Sequence, residues 1–187
     1  MQVARGGRSV RHVAGLFMAS LCAGAAVVLP GSAGAAPGEL WVNQAKATCS
    51  DRLTRDEVDQ ATPWCTLQAA ARGARAGDTV QVMPGRYRGT VRPAASGSAS
   101  APIRFLAPSG GVTIDAAGAA VGLQVVGVSW LSFQGFTITG AAAQGVYVDR
   151  SSDVTFAQLQ ANGNGTYGFD PNIGGINWGQ HLRVVEP

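Results

Sequence analysis

The chain has 187 residues and a formal charge of +3, from 14 basic against 11 acidic side chains. Setting aside Arg5, Arg8 and Arg11 of the N-terminal head leaves 11 basic against 11 acidic residues. A neutral remainder lacks the clustered basic stripe that nucleic acid demands, and beyond the head no apolar run is long enough to cross a membrane.

Residues 1–35 read as a secretory signal sequence. The three arginines form a basic head, Val13 to Leu29 an apolar core, Pro30-Gly31 a breaker, and Ala33-Gly34-Ala35 a small-residue cleavage site. The mature chain is expected to begin at Ala36 and to be secreted and extracellular. Two cysteines then remain, Cys49 and Cys65, in an oxidising setting where a disulfide closing a loop of 16 residues is the expected state. Metal binding there would need His or further Cys partners, and the surrounding sequence has none.

Residues 36–78 read as an N-terminal cap. Leu40-Trp41-Val42 is expected as a short strand, followed by a charged loop carrying Asp51, Arg52, Arg55, Asp56, Glu57 and Asp59. Thr66 can cap a short helix over Leu67 to Arg75, whose Leu67, Ala70, Ala71 and Ala74 share one face at helical spacing. Gly77-Asp78 ends that segment, and Thr79 to Met83 is expected as the first strand of the repeating region.

From residue 79 to 168, runs of four to six residues rich in Val, Ile, Phe and Thr alternate with Gly, Pro, Ser and Asn turns, which argues for strands. Gly122, Gly145 and Gly168 stand 23 residues apart. In that register Leu123 falls on Val146, Val125 on Val148, Leu131 on Val154, Phe133 on Phe156 and Phe136 on Leu159. Ser132 falls on Thr155 and Gly140 on Gly163. Extended backwards, the same reading sets Val80 and Val82 before Ile103 and Phe105, those before Leu123 and Val125, and Val112 and Ile114 before Leu131 and Phe133. A repeat of this length with two or three strands per coil predicts an all-β fold: a right-handed parallel β-helix, a solenoid of roughly four coils with a short N-terminal capping helix. Leucine-rich repeats share the period but carry one strand per repeat and a more regular leucine pattern. The pattern is lost over residues 169–187, which are expected to be an irregular tail, as in a longer β-helix cut short.

The stretch Leu40-Trp41-Val42-Asn43, Cys49, Pro63-Trp64-Cys65-Thr66-Leu67-Gln68-Ala69-Ala70 and Gly77-Asp78-Thr79-Val80-Gln81-Val82-Met83-Pro84-Gly85-Arg86-Tyr87 carries a resemblance. It resembles the N-terminal cap and first coil of secreted right-handed parallel β-helix proteins of the pectate-lyase-like superfamily, including chondroitinase-type polysaccharide lyases. The resemblance implies a polysaccharide-associated role outside the cell, with an acidic polysaccharide as the partner of a lyase and Ca2+ as the cofactor some such enzymes use. It does not by itself imply catalysis, because one scaffold hosts unrelated functions.

A metal site on stacked coils needs acids repeating at the coil period, since residues in register lie only ~4.8 Å apart. Here Asp149 lies over Val126, Asp153 over Trp130 and Asp170 over Tyr147, so no metal site is expected. The catalytic candidates are Asp149 and Asp153, which could flank a turn as a carboxyl pair, and Arg150, which could hold a sugar carboxylate or pair with Asp149. Asp115 and Asp153 also suit turn formation. Tyr147 and Trp130 are candidate platforms for sugar rings, and Trp130 could equally anchor a turn. Lys46 reads as a solvated loop charge, His181 has no evident partner, and Asn162 and Asn164 read as members of an internal ladder. A complete active site is not expected within these residues. A fragment or remnant of a polysaccharide lyase, a glycoside hydrolase-like β-helix, a non-catalytic carbohydrate-binding or surface-interaction module, and a structural β-helix are the readings the sequence supports.

Overall fold

The computed structural model describes residues 37–165, 167–169 and 183–185. The expected signal sequence, His181 and Asp170 lie outside them. The described chain is a parallel β-solenoid with one short α-helix. Strands β1 (Glu39–Val42) and β2 (Thr79–Val82) flank the helix α1 (Leu67–Gly73). They are followed by β3 (Gly85–Arg88), β4 (Ile103–Leu106), β5 (Val112–Asp115), β6 (Val121–Val126), β7 (Leu131–Gln134), β8 (Phe136–Thr139), β9 (Gln144–Asp149), β10 (Val154–Ala157), β11 (Gln160–Ala161), β12 (Tyr167–Phe169) and β13 (Arg183–Val185).

Three parallel sheets make the three faces. The first, sheet A, runs β1-β2-β4-β7-β10-β13, sheet B runs β11-β8-β5-β3, and sheet C runs β12-β9-β6. Three successive turns place a strand on every face, and β2 and β3 begin the turn before them, joined to sheet C by the parallel bridge between Val91 and Leu123. Arg183–Val185, inside the stretch read as an irregular tail, adds a parallel strand to β10.

The inward rows are apolar because alternate side chains of a strand point to opposite faces. Phe105, Phe133 and Phe156 stack through three coils, with ring centroids 4.8 Å and then 5.8 Å apart, and Phe133 meets Phe136 edge-on at 6.3 Å. Thr66 caps α1, its hydroxyl accepting the Ala69 amide at 3.2 Å. The helix ends two residues before the expected Arg75, and Leu67, Ala70, Ala71 and Ala74 are buried in the same core as Leu40 and Val80. The disulfide between Cys49 and Cys65 is formed.

The 23-residue register holds over the last coils: Leu123 pairs with Val146, Val125 with Val148, Leu131 with Val154, Phe133 with Phe156 and Ser132 with Thr155. The backward extension does not hold. Val80 pairs with Phe105 rather than Ile103, Ile103 pairs with Leu131 and not Leu123, and Val112 pairs with Phe136 and not Leu131. Residues 107–111 explain the slip. They join β4 to β5, whereas Gly135 alone joins β7 to β8, so that coil is longer by four residues at this corner. Stacking fixes the strands while loop length costs little closure free energy, so turns vary and strands do not.

Left-handed corners recur at fixed positions. Gly127 and Arg150, Trp130 and Asp153, Gly135 and Gln158, and Gly140 and Gly163 are register pairs with positive φ in both coils. The later coil thus turns three of its corners with non-glycine residues.

Candidate functional site

Sheet A presents a row of outward side chains one residue off the phenylalanine stack. Arg104 of β4, Ser132 of β7 and Thr155 of β10 are in direct register. The corner preceding these strands adds Trp130 and Asp153, with φ of 61° and 55°. All five line one groove of about 360 Å³. Arg104 is exposed and makes no ion pair among the described residues.

The corner is held by its backbone and by a column of serines. The Trp130 amide donates to the Ser152 carbonyl at 3.1 Å, the Ile103 amide to the Trp130 carbonyl at 3.0 Å, and the Leu131 amide to the Asp153 carbonyl at 3.2 Å. The Ser129 amide donates to the Ser96 hydroxyl at 3.0 Å, and the Ser152 amide to the Ser129 hydroxyl at 3.0 Å. With each corner carbonyl and amide satisfied by the neighbouring coil, Trp130 is both a turn residue and a half-buried groove wall. A second hollow of about 290 Å³ lies farther along the face of sheet A, walled by Trp41, Asn43, Lys46 and Gln60. The Lys46 ammonium donates to the Gln60 carbonyl at 2.5 Å, so it is tied to the loop.

The other candidates belong to sheet C. Tyr147 sits beside Gln124, and Asp149 beside Val126, on the outward side of β9 and β6. Arg150 pairs with Asp149 at 3.2 Å. Asp149 and Asp153 do flank the turn of residues 150–153, but Asp153 lines the sheet A groove and Asp149 does not. The carboxyl pair considered from the sequence is therefore split between two faces, and the structure brings Asp153 to Trp130 instead.

Asp115 serves the turn after β5: its carboxylate accepts the Ala117 amide at 3.0 Å and is clamped by Arg86 at 2.9 Å and Arg88 at 3.5 Å. The Ala117 amide first, and then the Arg86 guanidinium, holds this carboxyl below the ordinary carboxylate range. Asn164 does not form a ladder with Asn162. It accepts the Ala141 amide at 3.0 Å and donates to the Ile138 carbonyl at 3.2 Å, while Asn162 is exposed. Among the described residues no group of three or more His, Cys, Asp or Glu side chains is placed to hold a metal ion.

Arg104 was not legible as a site residue. Its alternation with Ile103 and Phe105 marks it as outward, but only the true register, 28 residues from Arg104 to Ser132, carries it to Trp130.

No protein-family profile matches the chain, and no curated protein is detectably similar in sequence. Solved structures are similar. A GH136 lacto-N-biosidase from Eubacterium ramulus, in its selenomethionine form, aligns over 80% of this chain and 30% of its own at 13% identity and a TM-score of 0.56. Its native form aligns over 67% and 28% at 12% identity and 0.55. An alginate lyase from a Paenibacillus species aligns over 50% of this chain and 32% of its own at 28% identity and 0.46. The chain thus spans about a third of the length of these proteins. The lacto-N-biosidase likeness shows the β-solenoid fold.

Proposed function

We propose that the chain is an extracellular polysaccharide-binding β-solenoid that receives an extended glycan along the outer face of sheet A. The observation that carries the reading is the convergence of Trp130, Arg104, Asp153, Ser132 and Thr155 on one open groove. An indole ring offers an apolar plane to a sugar face, and the guanidinium, carboxylate and hydroxyls offer hydrogen bonds to ring substituents. The parallel strands repeat every ~4.8 Å, close to the rise of a sugar along an extended chain, so a polymer can meet the same row coil after coil. Two further facts support the reading: the fold is shared with an enzyme named for a glycan, and the cysteines of residues 36–78 are joined as suits an oxidising compartment.

The test is retention of the purified chain on immobilised neutral and acidic polysaccharides. Retention that Trp130→Gly abolishes supports the reading, and equal retention of both proteins on every glycan overturns it. A second reading, a fragment of a pectate-lyase-like polyuronate lyase, is favoured by Arg104 alone, a cation on the same face where it could meet a uronate. Release of unsaturated uronides, read by their ultraviolet absorbance and lost in Arg104→Gln, would select it over binding without turnover.

A further inference from the structure

A different groove, between α1 and the start of sheet C, is lined by Gln68, Arg72, Thr90 and Arg92 and has a volume of about 340 Å³. Both arginines are exposed. Arg72 makes no ion pair among the described residues, and Arg92 donates through Nε to the neutral amide oxygen of Gln124 at 3.1 Å. Their charge differs in this from that of Arg55, Arg86, Arg88 and Arg150, which all face carboxylates.

The groove continues along the outside of sheet C. The bridge between Val91 and Leu123 sets Arg92 level with Gln124, and Gln124 is level with Tyr147 of the next coil. Arg92, Gln124 and Tyr147 therefore form one outward row, and two strand spacings separate Arg92 from Tyr147 by ~10 Å, the span of two sugar rings. Gln68 is fixed by donating to the Arg88 carbonyl at 2.8 Å, and Thr90 by donating to the Val121 carbonyl at 2.6 Å, so the floor between the arginines is a fixed surface.

We infer that this strip is a second, anion-selective glycan site: Arg72 and Arg92 hold the carboxylate or sulfate of one sugar, and the neighbouring ring lies against Tyr147. Guanidinium groups bind carboxylate and sulfate through paired donors, and two such groups without acidic neighbours attract an anion from solution. The strip is on another face from Trp130 and Arg104, so it adds an acidic preference that the sheet A groove does not need. The inference rests on the chain being a glycan binder, and the variants separate the two claims.

The test is calorimetric titration of the full chain with three probes at low and high salt: an oligogalacturonate for carboxylate, an oligomeric dextran sulfate for sulfate, and uncharged dextran of similar length. Salt-sensitive binding of one or both charged probes is expected, and the probe that binds identifies the group recognised. Arg72→Gln with Arg92→Gln should weaken that binding at least tenfold and flatten its salt dependence, while Trp130→Gly leaves the salt-sensitive part in place. Should the double Gln variant unfold, the Arg72→Lys, Arg92→Lys variant, which keeps charge but loses paired donation, should weaken binding several-fold. A folded double Gln variant that binds the charged probes within twofold of the parent, or a parent that binds neither charged probe, overturns the inference. Loss of binding in Trp130→Gly alone, with no effect of the arginines, leaves the sheet A reading standing and removes this one.

Discussion

Trp130 and Asp153 stand one coil apart at the same corner, both in the left-handed region with φ of 61° and 55°, and both line the sheet A groove. Such a backbone costs an L-residue roughly 1–2 kcal/mol, whereas glycine adopts it freely. Trp130→Gly should therefore remove the aromatic wall without breaking the turn. Thermal unfolding should stay within a few degrees of the parent, and retention on the preferred polysaccharide should fall at least tenfold, about 1.4 kcal/mol. Retention that survives in a folded variant would show that Trp130 is only a turn residue.

Gly122, one of the glycines that set the repeat, is there for close packing. A Cβ at this position would lie 2.5 Å from Ile138 Cγ2 and 2.9 Å from the Gly145 carbonyl oxygen. Gly122→Ala should destabilise the chain by about 1–3 kcal/mol through overpacking, measured by urea unfolding. A change indistinguishable from zero would mean that the coils can part at this point.

Asp78 ties residues 36–78 to the first coil. Its buried carboxylate accepts from Arg55 Nε at 2.8 Å, the Arg75 amide at 2.8 Å and the Gly38 amide at 2.9 Å. Burial pushes this carboxyl up, but the Arg55 guanidinium and the two amides outweigh it, and the group is held below the ordinary range. A depressed folded value adds stability above the unfolded value of about 3.9, and that stability is lost as pH falls through the folded value. The urea midpoint should be level near neutrality and fall at acid pH. Asp78→Asn should cost about 3 kcal/mol at neutral pH, since it leaves the largely buried Arg55 without its counter-ion. It should also flatten part of the acid slope, the rest coming from Glu57, Asp59 and Asp115, whose carboxyls are likewise lowered. A variant with the parent's midpoint at neutral pH and its full acid slope would refute this account.

Reduction of the bond between Cys49 and Cys65, which closes a loop of 16 residues, should remove roughly 3 kcal/mol of stability. A melting temperature lowered by several degrees in reductant is the expected result. An unchanged one would mean that the loop is held by its hydrogen bonds alone, such as those from the Cys65 and Thr66 amides to Asp51 at 2.9 and 3.0 Å.

Legible without coordinates was whatever repeats locally. Val, Ile and Phe at alternate positions between Gly and Asn turns specify stacked strands, and the coils from Gly122 to Gly168 keep equal lengths, so Leu131 could be matched to Val154 and Phe133 to Phe156 from the residues alone. The helix after Thr66 and the Cys49 to Cys65 bond were legible for the same reason, being short-range. The earlier coils were not, because residues 107–111 lengthen one corner at little cost in free energy and shift every match before it. The candidate site depended on that shift. Asp149 and Asp153 are near neighbours in sequence, yet they serve different faces, because the turn of residues 150–153 carries the chain from sheet C to sheet A. Arg104 meets Trp130, and Arg72 meets Arg92, only through strand register and the placement of α1. Those are properties of the packed solenoid, where the buried phenylalanine column fixes which outward side chains become neighbours.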